Sequence, residues 1–167
     1  MRFLVDTNII SELGKQDRSD PKVRAWFATV ADDDLYLSVL VVGEIQQGIE
    51  RARSRDSVKA QALEKWLSQV KKSFGSRILP VTLTVAEEWG RLNGIRTLPT
   101  IDSLLAATAN VNGLTLVTLQ TLQLQEYVTW ILSKDDWMVI ADCRDATCPA
   151  GNACRRRNAA APITVRP

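Results

Sequence analysis

The chain has 167 residues, enough for one domain with a sizeable core, and its 46% apolar and 24% charged residues are ordinary for a globular protein. It has no histidine, which excludes imidazole general bases and histidine triads, and its three cysteines, Cys143, Cys148 and Cys154, cannot by themselves complete a four-ligand zinc site. The formal net charge of +2 is uneven: residues 143–167 hold five arginines against one aspartate, so residues 1–142 are net negative and form no basic nucleic-acid-binding module.

In chain order, Phe3-Leu4-Val5 is a short apolar run ending at Asp6 and reads as a buried strand. Asp20-Pro21 opens a helix, with Asp as N-cap and Pro at the first helical position, and Val23, Trp26, Phe27 and Val30 follow at helical spacing. Leu35-Tyr36-Leu37 reads as a second strand. Ser38 can cap the helix after it, which carries Glu44, Ile45 and Ile49. Residues 56–73 form a long helix with Val58, Leu63, Trp66, Leu67 and Val70 on one face and a solvated lysine face opposite. Ile78 to Val81 is a third strand, kept short or peripheral by Pro80. Thr84-Val85-Ala86-Glu87 reads as a capping box opening the next helix. Thr100 can cap a helix from Ile101 to about Asn112, closed by Gly113, and Leu114 to Thr118 is a fourth strand. Leu119 to Trp130 fits helix or strand, Met138 to Ala141 could be a strand, and residues 143–167 read as an irregular basic tail. No apolar run is long enough to cross a membrane and the N-terminus lacks a signal-peptide core, so a cytoplasmic location with reduced thiols is expected.

Strands alternating with helices predict an α/β domain with a mainly parallel sheet, in which ligands bind outside the carboxyl ends of the strands. Three acids fall near that edge. Asp6 follows three apolar residues; alone it would be read as capping the next turn. Glu44 shares a helix face with Leu40, Val41, Ile45 and Gly48; alone it would be read as an edge residue turned to water. Asp102 lies in the first turn of its helix, where the macrodipole favours an acid whatever its function. Taken together, three converging carboxylates would repel one another, and a hard cation with oxygen ligands, Mg²⁺ or Mn²⁺, would relieve that. Such a metal could act on a phosphodiester without a covalent nucleophile.

The segments FLVDTNIISEL, LYLSVLVVGEIQQGIER, ILPVTLTVAEEWGRL, IDSLLAATA and GLTLVT stand in the order and spacing of a PIN domain. The chain resembles the VapC and FitB ribonucleases of bacterial toxin–antitoxin pairs over roughly residues 1–118. That resemblance implies a PIN-like three-layer α/β/α fold over residues 1–142. It also implies a metal-dependent endoribonuclease acting as a toxin. Asp6, Glu44 and Asp102 would be its metal-holding and catalytic residues, with Thr7, Asn8, Ser38, Thr118 and Gln120 in support. The partners implied are an RNA substrate, a cognate antitoxin and a second copy of the chain.

The chain departs from the family after Thr118. Leu119-Gln120-Thr121 stands where family members usually carry Arg, then Asn or Asp, then Thr, and a fourth acid often lies there. The usual short final strand is not recognisable. The abrupt change suggests a C-terminus replaced by a frameshift or rearrangement near codon 119, which the other reading frames of the coding DNA would test. A protein so altered could keep its fold and its antitoxin yet cleave nothing, and this non-enzymatic reading stands beside the first. A phosphatase with an aspartate nucleophile fits less well, because the chain has Asp6-Thr7-Asn8 where a D-x-D pattern is needed. No glycine-rich phosphate loop is present.

Overall fold

The computed structural model describes residues 1–15, 19–95, 99–119 and 137–139. Its elements are β1 (Phe3–Val5), α1 (Thr7–Leu13), α2 (Pro21–Phe27), β2 (Leu35–Ser38), α3 (Val39–Arg53), α4 (Ser57–Phe74), β3 (Ile78–Leu79), α5 (Leu83–Ile95), α6 (Thr100–Asn112), β4 (Thr115–Thr118) and β5 (Trp137–Val139). The five strands are all parallel, in the order β3-β2-β1-β4-β5. β1 is central because Phe3, Leu4 and Val5 are all buried, a run with no polar face to give to water. Its register, Phe3 opposite Leu35 and Thr115, brings the ends of β1 and β4 level, so Asp6 and Thr118 emerge side by side.

The strand order moves outward from β1 to β3 and then jumps back to β4. Right-handed crossovers therefore put α1–α4 on one face and α5–α6 on the other, the expected three layers. The packing agrees: α1 meets α2 and α3, α3 meets α4, and α5 meets α6. The main core joins β1, β2 and β4 to Ile9, Ile10, Val41, Ile45, Ile49, Leu67 and Val70 on one face. On the other face the core takes in Leu105, Ala106 and Ala109. A smaller cluster of Val85, Leu92 and Ala107, with Trp89 against it, joins α5 to α6.

Several local expectations hold. Asp20 caps α2 through the Lys22 amide at 2.7 Å, Ser38 caps α3 through the Leu40 amide at 3.2 Å, and β3 is a two-residue edge strand just before Pro80. Gly113 ends α6 in the left-handed conformation at φ 60°. Others are corrected. α2 stops at Phe27, short of Val30. Val58 is 76% exposed, because it lies more than half a turn from Ala60, which marks the buried face of α4. α5 is capped by Thr82 rather than Thr84: its hydroxyl accepts from the Val85 amide at 3.3 Å and its carbonyl from the Ala86 amide. α6 begins at Thr100, with Pro99 as a cap that makes no side-chain bond. Gly48 is exposed, since the buried face of α3 runs through Val41, Ile45 and Ile49. A final strand is present: β5, overlapping the run Met138 to Ala141 that could be a strand, pairs in parallel with β4. The expectations for Gln120 to Trp130 and for the tail 143–167 lie outside the described residues.

Candidate active site

Strand order reverses between β1 and β4, and the crevice beyond their carboxyl ends is where a doubly wound sheet receives a ligand. Asp6 stands there, 8% exposed, immediately after β1. It caps α1, as the local reading of its position foresees, but through the Thr7 amide, which donates to Oδ1 at 2.6 Å, rather than through the amides of Asn8 or Ile9. Its Oδ2 accepts from the Asn8 side-chain amide at 2.7 Å and from the Thr118 hydroxyl at 2.7 Å. Asn8 Nδ2 also donates to Thr118 Oγ1 at 2.9 Å, closing a ring of three hydrogen bonds. The other end of the same carboxamide, Asn8 Oδ1, accepts the Leu119 amide at 3.1 Å. One side chain at the start of α1 thus ties down both Asp6 and the exit of β4.

Glu44 lies in the second turn of α3, half-buried at the edge of the apolar face. Thr7 Oγ1 donates to its Oε2, so Thr7 holds Asp6 with its backbone and Glu44 with its hydroxyl. Asp102 is the third residue of α6 and is also half-buried. Ser38 is buried and its hydroxyl caps α3, so it fixes the helix that presents Glu44. Gln120 lies outside the described residues.

The electrostatics join the three acids. Burial pushes the Asp6 carboxyl up from 3.8 to about 6, against the pull of the Thr118 hydroxyl and the Thr7 amide, and the charges of Asp102 and Glu44 push the same way. Asp102 is also raised, first by its burial and then by Glu44. Among the described residues no lysine or arginine pairs with any of the three. Nor do they close into a ready-made cage: among the described residues no three acids stand close enough to hold an ion as a fixed set. The result is an open, mutually repelling acidic group with oxygen donors only. It suits a hard divalent cation that keeps several of its waters and takes one or two carboxylates, and it does not suit zinc or copper.

Sequence reasoning missed the support around Asp102. The Trp89 indole N–H donates to Ser103 Oγ at 2.9 Å, and that hydroxyl also lies 2.9 Å from Pro99 O and 3.1 Å from Thr100 O. The bond joins different helices, so no spacing along the chain could have disclosed it.

The PIN domain family model matches residues 3–121. Over 125 residues the chain is 31% identical to Toxin FitB of Neisseria gonorrhoeae, covering 71% of this chain and 88% of that one. It is 30% identical over 126 residues to VapC ribonuclease Y4jK of Sinorhizobium fredii, covering 71% and 87%. The crystal structure of FitAcB from Neisseria gonorrhoeae superposes with a TM-score of 0.64 at 30% identity, over 71% of this chain and 88% of that one. The structure of FitAB bound to an IR36 DNA fragment gives 0.67 at 26% identity, over 83% and 94%.

Proposed function

The chain belongs to the PIN-domain family, and from that premise we propose that it is a metal-dependent endoribonuclease, the toxin of a toxin–antitoxin pair. The observation that carries the reading is the group of three acids, Asp6, Glu44 and Asp102, at the sheet's switch point, with no lysine or arginine paired to them among the described residues and with Asp6 raised to about 6. Residues arranged this way are costly for the empty protein and useful to one that binds a cation. In the proposal, Asp6, Glu44 and Asp102 hold Mg²⁺ or Mn²⁺. The cation would supply Lewis-acid stabilisation of charge developing on a phosphodiester and would ease deprotonation of the attacking water.

The chain's own residues do the rest. The ring of Asn8, Thr118 and Asp6 fixes the Asp6 carboxylate, so that it need not reorganise during the reaction. Thr7 fixes Glu44 relative to Asp6. RNA is the substrate proposed, on the strength of the VapC ribonuclease relative. An antitoxin is the proposed partner, because the structural relatives include a FitAB assembly, and a second copy of the chain is proposed alongside it. Among the described residues no helix is long and apolar enough to cross a membrane.

A non-cleaving antitoxin binder is the second reading, and Leu119 is what favours it. An apolar residue, packed against the core, occupies the first position of the segment where the family resemblance breaks. Incubating the purified full-length protein with structured RNA in Mn²⁺, and separately in EDTA, distinguishes the two. The ribonuclease reading expects cleavage in Mn²⁺ alone, and Asp6→Asn should remove at least 100-fold of it, on the order of what one essential group contributes. Tight Mn²⁺ binding with intact RNA would sink the enzyme reading and leave the binder.

A further inference from the structure

We infer that Trp89, on α5, is a positioning residue for Asp102: its indole N–H, bonded to Ser103, sets the rotation of α6 and so the aim of the acid beside Ser103. The inference rests on the proposal that Asp102 holds the metal.

α6 packs on two sides. Ile101, Leu105, Ala106 and Ala109 face the main core, whereas toward α5 its buried residue in the small cluster is Ala107. A methyl group interdigitates shallowly, so packing on the α5 side adds little resistance to rotation of the helix about its axis. Rotation matters here, because Asp102 projects from the first turn and a few degrees displace its carboxylate along the crevice. That turn also lacks the usual restraint, since Pro99 caps α6 without a side-chain bond. Two polar contacts from α5 add the restraint that the shallow packing on that side and the cap do not give. Asn110 donates to Glu88 Oε1 at 2.7 Å near the far end of α6, and Trp89 donates to Ser103 Oγ at 2.9 Å beside Asp102.

Ser103 is almost fully buried, and its hydroxyl has one proton to give, toward Pro99 O or Thr100 O. The donor that completes it is Trp89. The indole is wedged against Val85, Leu92 and Ala107, which limits its freedom to follow a turning helix. The chain thus runs from a rigid ring, through one oxygen, to the backbone of the turn that carries the acid.

The test measures Mn²⁺ affinity of the full-length protein by calorimetry or paramagnetic resonance, and thermal midpoint in EDTA, for wild type, Asp102→Asn, Trp89→Phe, and the double variant. Ser103→Ala, which deletes a single oxygen, stands in should Trp89→Phe fail to fold. Trp89→Phe or Ser103→Ala should weaken Mn²⁺ binding about threefold to tenfold, the effect of one hydrogen bond. In the Asp102→Asn background the same change should weaken it no further, whereas any loss of thermal midpoint should persist in both backgrounds. Equal weakening in both backgrounds, or none in either, overturns the positioning role while leaving Asp102 as a ligand. If Asp102→Asn itself leaves Mn²⁺ affinity unchanged, the metal reading of Asp102 falls and the inference falls with it.

Discussion

Asp6 is the most deeply buried of the site's three acids. Its rise from 3.8 to about 6 corresponds to roughly 3 kcal/mol against the ionised form. The sign follows from proton binding. Between about pH 4 and 6 the folded protein keeps a proton that the unfolded chain has released, so stability is full below that window and is lost as pH rises through it. Asp6→Asn carries no charge to bury. In EDTA, its thermal midpoint relative to wild type should therefore climb from pH 4 to pH 7, while its Mn²⁺ binding collapses. A flat difference across that range would show that the buried charge is not costly. Thr7 invites a second prediction at the same scale. Thr7→Val keeps the backbone bond to Asp6 but releases Glu44, and should weaken Mn²⁺ binding about fivefold; Thr7→Ser should restore it. As candidates, Asp6 and Glu44 were legible in the sequence, from an apolar run ending in Asp6 and a lone acid in the stripe of α3. Their coupling was not, because the bonds from Asn8 to Thr118 and Leu119 span more than a hundred residues and depend on the register of β1 with β4.

At the scale of elements, the sequence spoke clearly wherever a local interaction decides the outcome. Asp20-Pro21, Ser38 and Gly113 each act within a few residues of themselves, and each stands where the spacing placed it. It misled at α5, where Thr84-Val85-Ala86-Glu87 has the form of a capping box but Thr82 makes the capping bonds. The reading failed at Val58, because that residue lies on the opposite side of α4 from the buried Ala60 and Leu67 and never shared their face. Gly113 allows a direct check. It ends α6 at φ 60°, ψ 45°, where a Cβ is strained, although the space around it is open. Gly113→Ala should cost about 1 kcal/mol in urea unfolding, and Gly113→Asn clearly less. Equal costs would mean that contacts rather than backbone conformation set the price.

For the molecule as a whole, the parallel α/β class was the most legible feature, since strands alternating with helices leave few other arrangements and a parallel sheet needs long crossovers. The last strand was legible only as a short apolar run at Met138 to Ala141, and its role as the final strand of the sheet was not, because β5 is defined by pairing with β4 and carries no motif of its own. Its place in the sheet bears on how much of the chain the proposed chemistry needs. Asp6, Thr7, Asn8, Glu44, Asp102 and Thr118 all precede residue 119, and β5 covers the outer edge of β4, which would otherwise expose a row of unpaired backbone groups beside the site. A chain ending at residue 142 therefore keeps every candidate ligand and the strand that shields them. It loses only the arginine- and cysteine-rich residues 143–167. Its Mn²⁺ affinity should stay within about twofold of the full-length protein. RNA affinity is the more discriminating measurement, because the removed arginines hold the chain's excess of positive charge. If they contact phosphates, RNA binding should weaken and its salt dependence should flatten on removal. If the acidic body meets RNA through the metal, both should be unchanged, and the second outcome is the one expected here.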